Sequence, residues 1–164
     1  MQRQKMAYGI VAVLLLWGCV NSELSLSQPQ AALSQAQMLP IGAIAKVEQN
    51  VIQLEVAKTP EEQAMGLMFR THLEKDRGMI FLFSPPRITR FWMKNTLIPL
   101  DMIFLRDGVI QSISPKVPPC KSDPCPSYGP FVEIDQVIEL ASGRAAELGL
   151  KRGDRLHIEF LKTP

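Results

Sequence analysis

Residues 91–101 read Phe-Trp-Met-Lys-Asn-Thr-Leu-Ile-Pro-Leu-Asp and set Trp92, Lys94, Asn95 and Asp101 inside an apolar run. Strand parity puts Trp92, Lys94 and Thr96 on one side and Phe91, Met93 and Asn95 on the other. If the Phe91 side is core, an exposed indole stands beside a cation. Sites of that kind hold sugars, peptides and anionic groups through stacking and charge-assisted hydrogen bonds. The alternative is a core tryptophan with Lys94 snorkelling over it. Asn95, ahead of Thr96 and Pro99, suits a loop cap better than a ligand contact. Arg70, Lys75, Arg77, Arg87, Arg90 and Lys94 outnumber Glu74 and Asp76 across residues 70–94, a local excess of four positive charges.

Catalytic constellations are scarce. The chain has no Gly-x-Ser-x-Gly elbow, Walker loop, His-Glu-x-x-His pair or glycine-rich dinucleotide turn. His72 and His157 have no sequence reason to activate a serine or Cys120, and they lack ligand spacing, so neither a metal nor a cofactor is expected. Asp101 and Glu139, both on predicted strands, are the one carboxylate pair that could do acid–base work. The competing reading is that each accepts hydrogen bonds from loop backbone or pairs with Arg70.

Cys120 and Cys125 bracket Lys121-Ser122-Asp123-Pro124 in a proline-thick loop. In an oxidising compartment they would close a small disulfide loop, worth about 2 kcal/mol in the chain-entropy model. Free thiols or transient redox use remain open, although the four-residue spacer differs from a thioredoxin-type motif.

The elements that must position these groups are mostly strands. Val51 to Val56 alternates with period two. Thr59-Pro60-Glu61-Glu62 is a capping box opening a short helix that Gly66 ends. Met79 to Phe83 is a compact buried strand, and Pro85-Pro86 forces a loop before a strand at Phe91. Asp107-Gly108 between two apolar runs signals a type I′ hairpin. That register pairs Arg106 with Val109, Phe104 with Gln111, Met102 with Ile113 and Asp101 with Ser114. A strand from Val132 or Ile134 to Leu140 follows. Ser142 then caps a short helix closed by Gly149, with Leu150 as its apolar partner, and Arg155 to Leu161 makes the last strand. The balance is α+β: a single β-rich domain over residues 46–164, a curved sheet or partly closed barrel with two short helices.

Residues 1–19 read as an export signal. Arg3 and Lys5 precede an uncharged run, Ala7 to Leu16, far short of the about 20 apolar residues a membrane span needs. Leu16-Trp17-Gly18-Cys19 has the form of a lipobox, which would place a lipid on Cys19; Trp17 is larger than that slot usually holds. Ordinary secretion with cleavage after Ser22 is the alternative. Residues 20–45, rich in Gln, Ser and Ala, read as a tether spanning roughly 25–30 Å. Losing Arg3 and Lys5 leaves 16 basic against 16 acidic residues from the 18 and 16 of the full chain. A neutral mature chain offers nucleic acid no overall attraction.

The Trp92 segment resembles the signature of the domain-of-unknown-function 192 family of mostly bacterial proteins. Gly66-Leu67-Met68-Phe69-Arg70, Gly78-Met79-Ile80-Phe81 and the tail from Glu139 to Asp154 match as well, in order, so the resemblance covers roughly residues 46–162. It implies a fold and an export habit, and no reaction. Many members lack the cysteine pair. Arg70, Trp92, Lys94, Asn95, Asp101 and Glu139 come from separate family motifs that a curved sheet could gather at one rim, with Arg70 balancing Asp101 or Glu139. Two functions fit: a lipid-anchored, non-catalytic envelope domain binding a glycan, peptide or anionic ligand, or a small hydrolase or transferase using Asp101 and Glu139 on envelope material.

Overall fold

Period-two apolar patterning drives a mixed seven-stranded sheet that carries most of the chain. The structure, a computed structural model, describes residues 35–162. Its strands are β1 (Ile41–Val47), β2 (Asn50–Ala57), β3 (Arg77–Arg87), β5 (Leu100–Arg106), β6 (Val109–Val117), β8 (Ile134–Ala141) and β9 (His157–Phe160), in the order β6-β5-β8-β3-β2-β1-β9. A separate ribbon pairs β4 (Phe91–Trp92) with β7 (Ser127–Tyr128). Two short helices, α1 (Pro60–Met65) and α2 (Arg144–Glu147), complete the α+β domain. β2 and β3 run parallel, and the other neighbours are antiparallel.

The sheet curves until its two ends meet without a closed ladder. Val109 bridges Arg155, Ile110 N–H donates to Asp154 O and Leu156 N–H to Gly108 O, each at 2.9 Å. One face buries Leu54, Ile80, Ile103 and Ile138; the other buries Met79, Phe81, Met102 and Phe104.

The capping box forms in full: Glu62 N–H donates to Thr59 Oγ1 at 3.2 Å and Thr59 N–H to Glu62 Oε2 at 3.0 Å. These backbone donors, first from Thr59 and then from Lys58, lower the Glu62 pKa. The hairpin turns as expected, Arg106 opposite Val109, with Asp107 and Gly108 at φ 51° and 75°. Beyond it the expected register is wrong by one residue, with Phe104 opposite Ser112 and Met102 opposite Ser114. Ile110 and Ile113 are three residues apart, so a regular strand cannot face both inward. A bulge lets Leu105 meet Ile110 and Ile103 meet Ile113 on the same core face.

Three other expectations change. β3 runs through Pro85 and Pro86, because the pairing skips from Leu82–Gln136 to Arg87–Ile134 and the prolines fall where no ladder N–H is required. The strand at Phe91 is two residues long. The sheet begins at Ile41, inside the stretch expected as tether, with Ala43 opposite Leu54. Residues 1–34, including the lipobox and Cys19, lie outside the described residues.

Candidate functional site

The expected cluster divides into three places. Asp101, fully buried, accepts from Lys116 N–H at 2.7 Å, Gly143 N–H at 3.0 Å and Ala145 N–H at 2.8 Å. It thereby caps α2, the task expected of Ser142; the N-cap is Gly143 at φ 85° with no side-chain cap of its own. Asp101 is aligned with Leu140, so the next residue along β8, Glu139, projects from the opposite face beside Met102. Sheet parity therefore keeps the two carboxyls apart, and the Asp101–Glu139 acid–base pair does not form.

Glu139 belongs to a row across the sheet, Glu55 on β2, Met79 on β3, Glu139 on β8 and Met102 on β5. Arg70, expected to balance Asp101 or Glu139, instead grips Glu55 with both Nη atoms at 2.8 and 2.6 Å. Leu39 N–H adds a bond to Glu55 Oε2 at 2.7 Å, and Arg70 Nη2 also donates to Gln37 O at 2.7 Å. Arg70 Nε has no partner among the described residues. Burial pushes the Glu139 pKa up to about 8, against a smaller opposing pull from Arg70. The shift favours the protonated, neutral form at neutral pH. Sequence reasoning missed Glu55 because its parity with exposed Val51 and Gln53 put it on a solvent face.

Trp92 and Lys94 do reach the surface together. Trp92 is 52% exposed, Lys94 Nζ stands 5.5 Å from its ring centre, and Met93 between them is buried. The alternation ends at Asn95, a loop residue at φ 56° whose carbonyl accepts from Phe69 N–H at 2.8 Å and whose Nδ2 lies 3.8 Å from Met68 Sδ. Asn95 thus fixes the loop carrying Arg70 through its main-chain carbonyl and not as a side-chain cap. Cys120 and Cys125 are disulfide-bonded with Cα atoms 5.6 Å apart, and the loop they close puts Asp123 3.2 Å from Lys94.

Beside Trp92 runs an open groove. One stretch of about 290 Å³ is lined by Pro60, Gln63, Phe83, Arg87, Arg90 and Trp92. Pro60, Gln63, Phe83 and Arg87 also line a second stretch of about 580 Å³, which adds Lys58, Asp135, Gln136 and Phe160. Two of its cations are preset. Arg87 lies 4.5 Å above the Phe83 ring, and Arg90 donates to Ser127 Oγ at 2.9 Å and Gly129 O at 2.8 Å. Asp135 Oδ1 and Gln136 Oε1 are buried acceptors without donors among the described residues. Trp92 and the charge excess over residues 70–94 were the sequence signals pointing here. Lys58 and Phe160 gave none.

Among the described residues no group of three or more His, Cys, Asp or Glu could hold a metal ion. No described helix is long and apolar enough to cross a membrane.

The chain belongs to the domain-of-unknown-function 192 family, whose description reads "Uncharacterized ACR"; the family model matches residues 43–158. It is similar to a solved Novosphingobium aromaticivorans protein of unknown function, at 35% identity and a TM-score of 0.64, covering 77% of this chain and 96% of that one. A solved Sinorhizobium meliloti protein, described as a proposed transcription regulator, is similar at 33% identity and a TM-score of 0.62, covering 70% and 90%. No curated protein matches the chain.

Proposed function

We propose that this is a non-catalytic binding domain of the cell envelope, held to a membrane by a lipid on Cys19, which takes an acidic glycan along the groove beside Trp92. The observation that carries the reading is an exposed indole at one end of a groove whose cations are already oriented. Trp92 supplies a stacking face for a sugar ring. Arg87, Arg90 and Lys58 supply charge-assisted donors to carboxylates. An envelope hydrolase or transferase working through Asp101 and Glu139 has no shared pocket for them to act in.

The test uses full-length protein carrying Trp17→Phe, which leaves Trp92 as its single tryptophan. Oligouronates should change Trp92 emission saturably, and salt should weaken the effect because exposed cation–carboxylate contacts are screened. Equal responses to neutral oligosaccharides, or none to oligouronates, would refute the glycan reading. A fatty-acid analogue should label wild-type cells' protein and spare Cys19→Ser; equal labelling removes the lipid anchor.

A further inference from the structure

The chain around the disulfide is fastened to the Trp92 segment on both flanks. On one flank Cys120 N–H donates to Met93 O at 3.2 Å. On the other, just past Cys125, Ser127 and Tyr128 pair with Trp92 and Phe91. Between these anchors the closed loop presents Asp123, whose carboxylate sits 3.2 Å from Lys94 Nζ. The lysine that completes the Trp92 surface is thus already occupied by an internal anion. Lys121, the loop's other charge, makes no ion pair among the described residues.

The disulfide tightens the confinement of Asp123 that these anchors begin. Closed, it holds the two Cα atoms 5.6 Å apart. Opened, the loop between the Met93 and Trp92 anchors loses that clamp and samples more conformations, so the local concentration of the carboxylate at Lys94 falls. The indole does not depend on this ring, because Trp92 is paired to Ser127 outside it. Lys94 stays within reach of Trp92 through its own position two residues away.

We infer that the Cys120–Cys125 loop is an acidic cover kept on Lys94 by the disulfide, so that reduction opens the Trp92–Lys94 surface to anions. A dithiol donor is sufficient: the sulfur–sulfur bond accepts two electrons and two protons, two thiols form, and the donor leaves as its own disulfide. The importance of the cover for an acidic glycan rests on the function proposed above. The cover itself does not.

The experiment uses full-length protein with Trp17→Phe and Cys19→Ser, oxidised or reduced by a dithiol, and reads quenching of Trp92 by iodide and by neutral acrylamide. Reduction should raise iodide quenching and leave acrylamide quenching unchanged. Oxidised Asp123→Asn should match the reduced protein and respond no further to reduction. Oligouronate affinity should rise about 1.5- to 5-fold on reduction, the range expected for freeing a cation from an exposed ion pair. Unchanged iodide quenching, a parallel rise with acrylamide, or an Asp123→Asn protein that still responds would overturn the cover. If iodide behaves as expected while oligouronates bind neither form, the cover stands and the glycan reading falls.

Discussion

The buried acids beneath the loops and the basic groove outside them are treated by the chain in opposite ways. Asp101 has three backbone donors and Glu55 has a bidentate arginine. Glu139, left without such partners among the described residues, gives up its charge instead. On the surface, Arg87 and Arg90 are oriented by an aromatic ring and by backbone carbonyls but have no carboxylate partner among the described residues. Inside, each charge is matched or neutralised; outside, cations are held ready. Changes to the first region should therefore move stability, and changes to the second should move binding.

Arg70→Met should have the largest effect. It leaves Glu55 buried without its main partner, so the denaturant midpoint should fall by the equivalent of about 3–5 kcal/mol. A loss below about 1 kcal/mol would mean that Glu55 is not held by Arg70. Asp101→Asn comes next. One carbonyl oxygen would replace two carboxylate oxygens shared by three N–H groups, costing about 1.5–3 kcal/mol. Protection of the Gly143 and Ala145 amides in hydrogen exchange should drop with it; unaltered protection would contradict the capping role.

The smallest effect below pH 4.5, and the most diagnostic, belongs to Glu139→Gln. The folded pKa is about 8, above the ordinary value of 4.5. The folded state therefore binds the proton more tightly, and the stability it contributes is complete below pH 4.5 and lost as pH rises towards about 8. Within that window the group alone lowers stability by up to about 1.4 kcal/mol per pH unit. Comparing wild type with Glu139→Gln across the window should isolate this slope. Parallel curves would show that Glu139 is charged in the folded protein.

What the sequence disclosed was local. The capping box and the Asp107-Gly108 turn are readable because their partners lie within a few residues. Parity alone placed Trp92 and Lys94 on a common side without saying whether it was exposed, and the cysteine spacing allowed the disulfide that forms. The rest depends on distant partners. Asp101 finds its donors 15, 42 and 44 residues away. The bulge in β6 answers the need to bury both Ile110 and Ile113. β1 escaped notice because its inward residues are the small Ala43 and Ala45, with Gly42 beside them. A Cβ at Gly42 would stand 2.8 Å from Val56 Cγ2. The groove gathers Lys58, Arg87 and Phe160 from separate strands and loops, so no single stretch announces it.

The central claim, that binding lives in the groove and stability in the buried row, is tested most directly by oligouronate titration of three proteins carrying Trp17→Phe. These are the parent, Arg87→Gln and Glu139→Gln, read by Trp92 emission at pH 7. The account predicts saturable binding by the parent, a loss of about tenfold (about 1.4 kcal/mol) for Arg87→Gln, and unchanged affinity for Glu139→Gln. Equal affinity for Arg87→Gln and the parent, or weakened binding by Glu139→Gln, would contradict it.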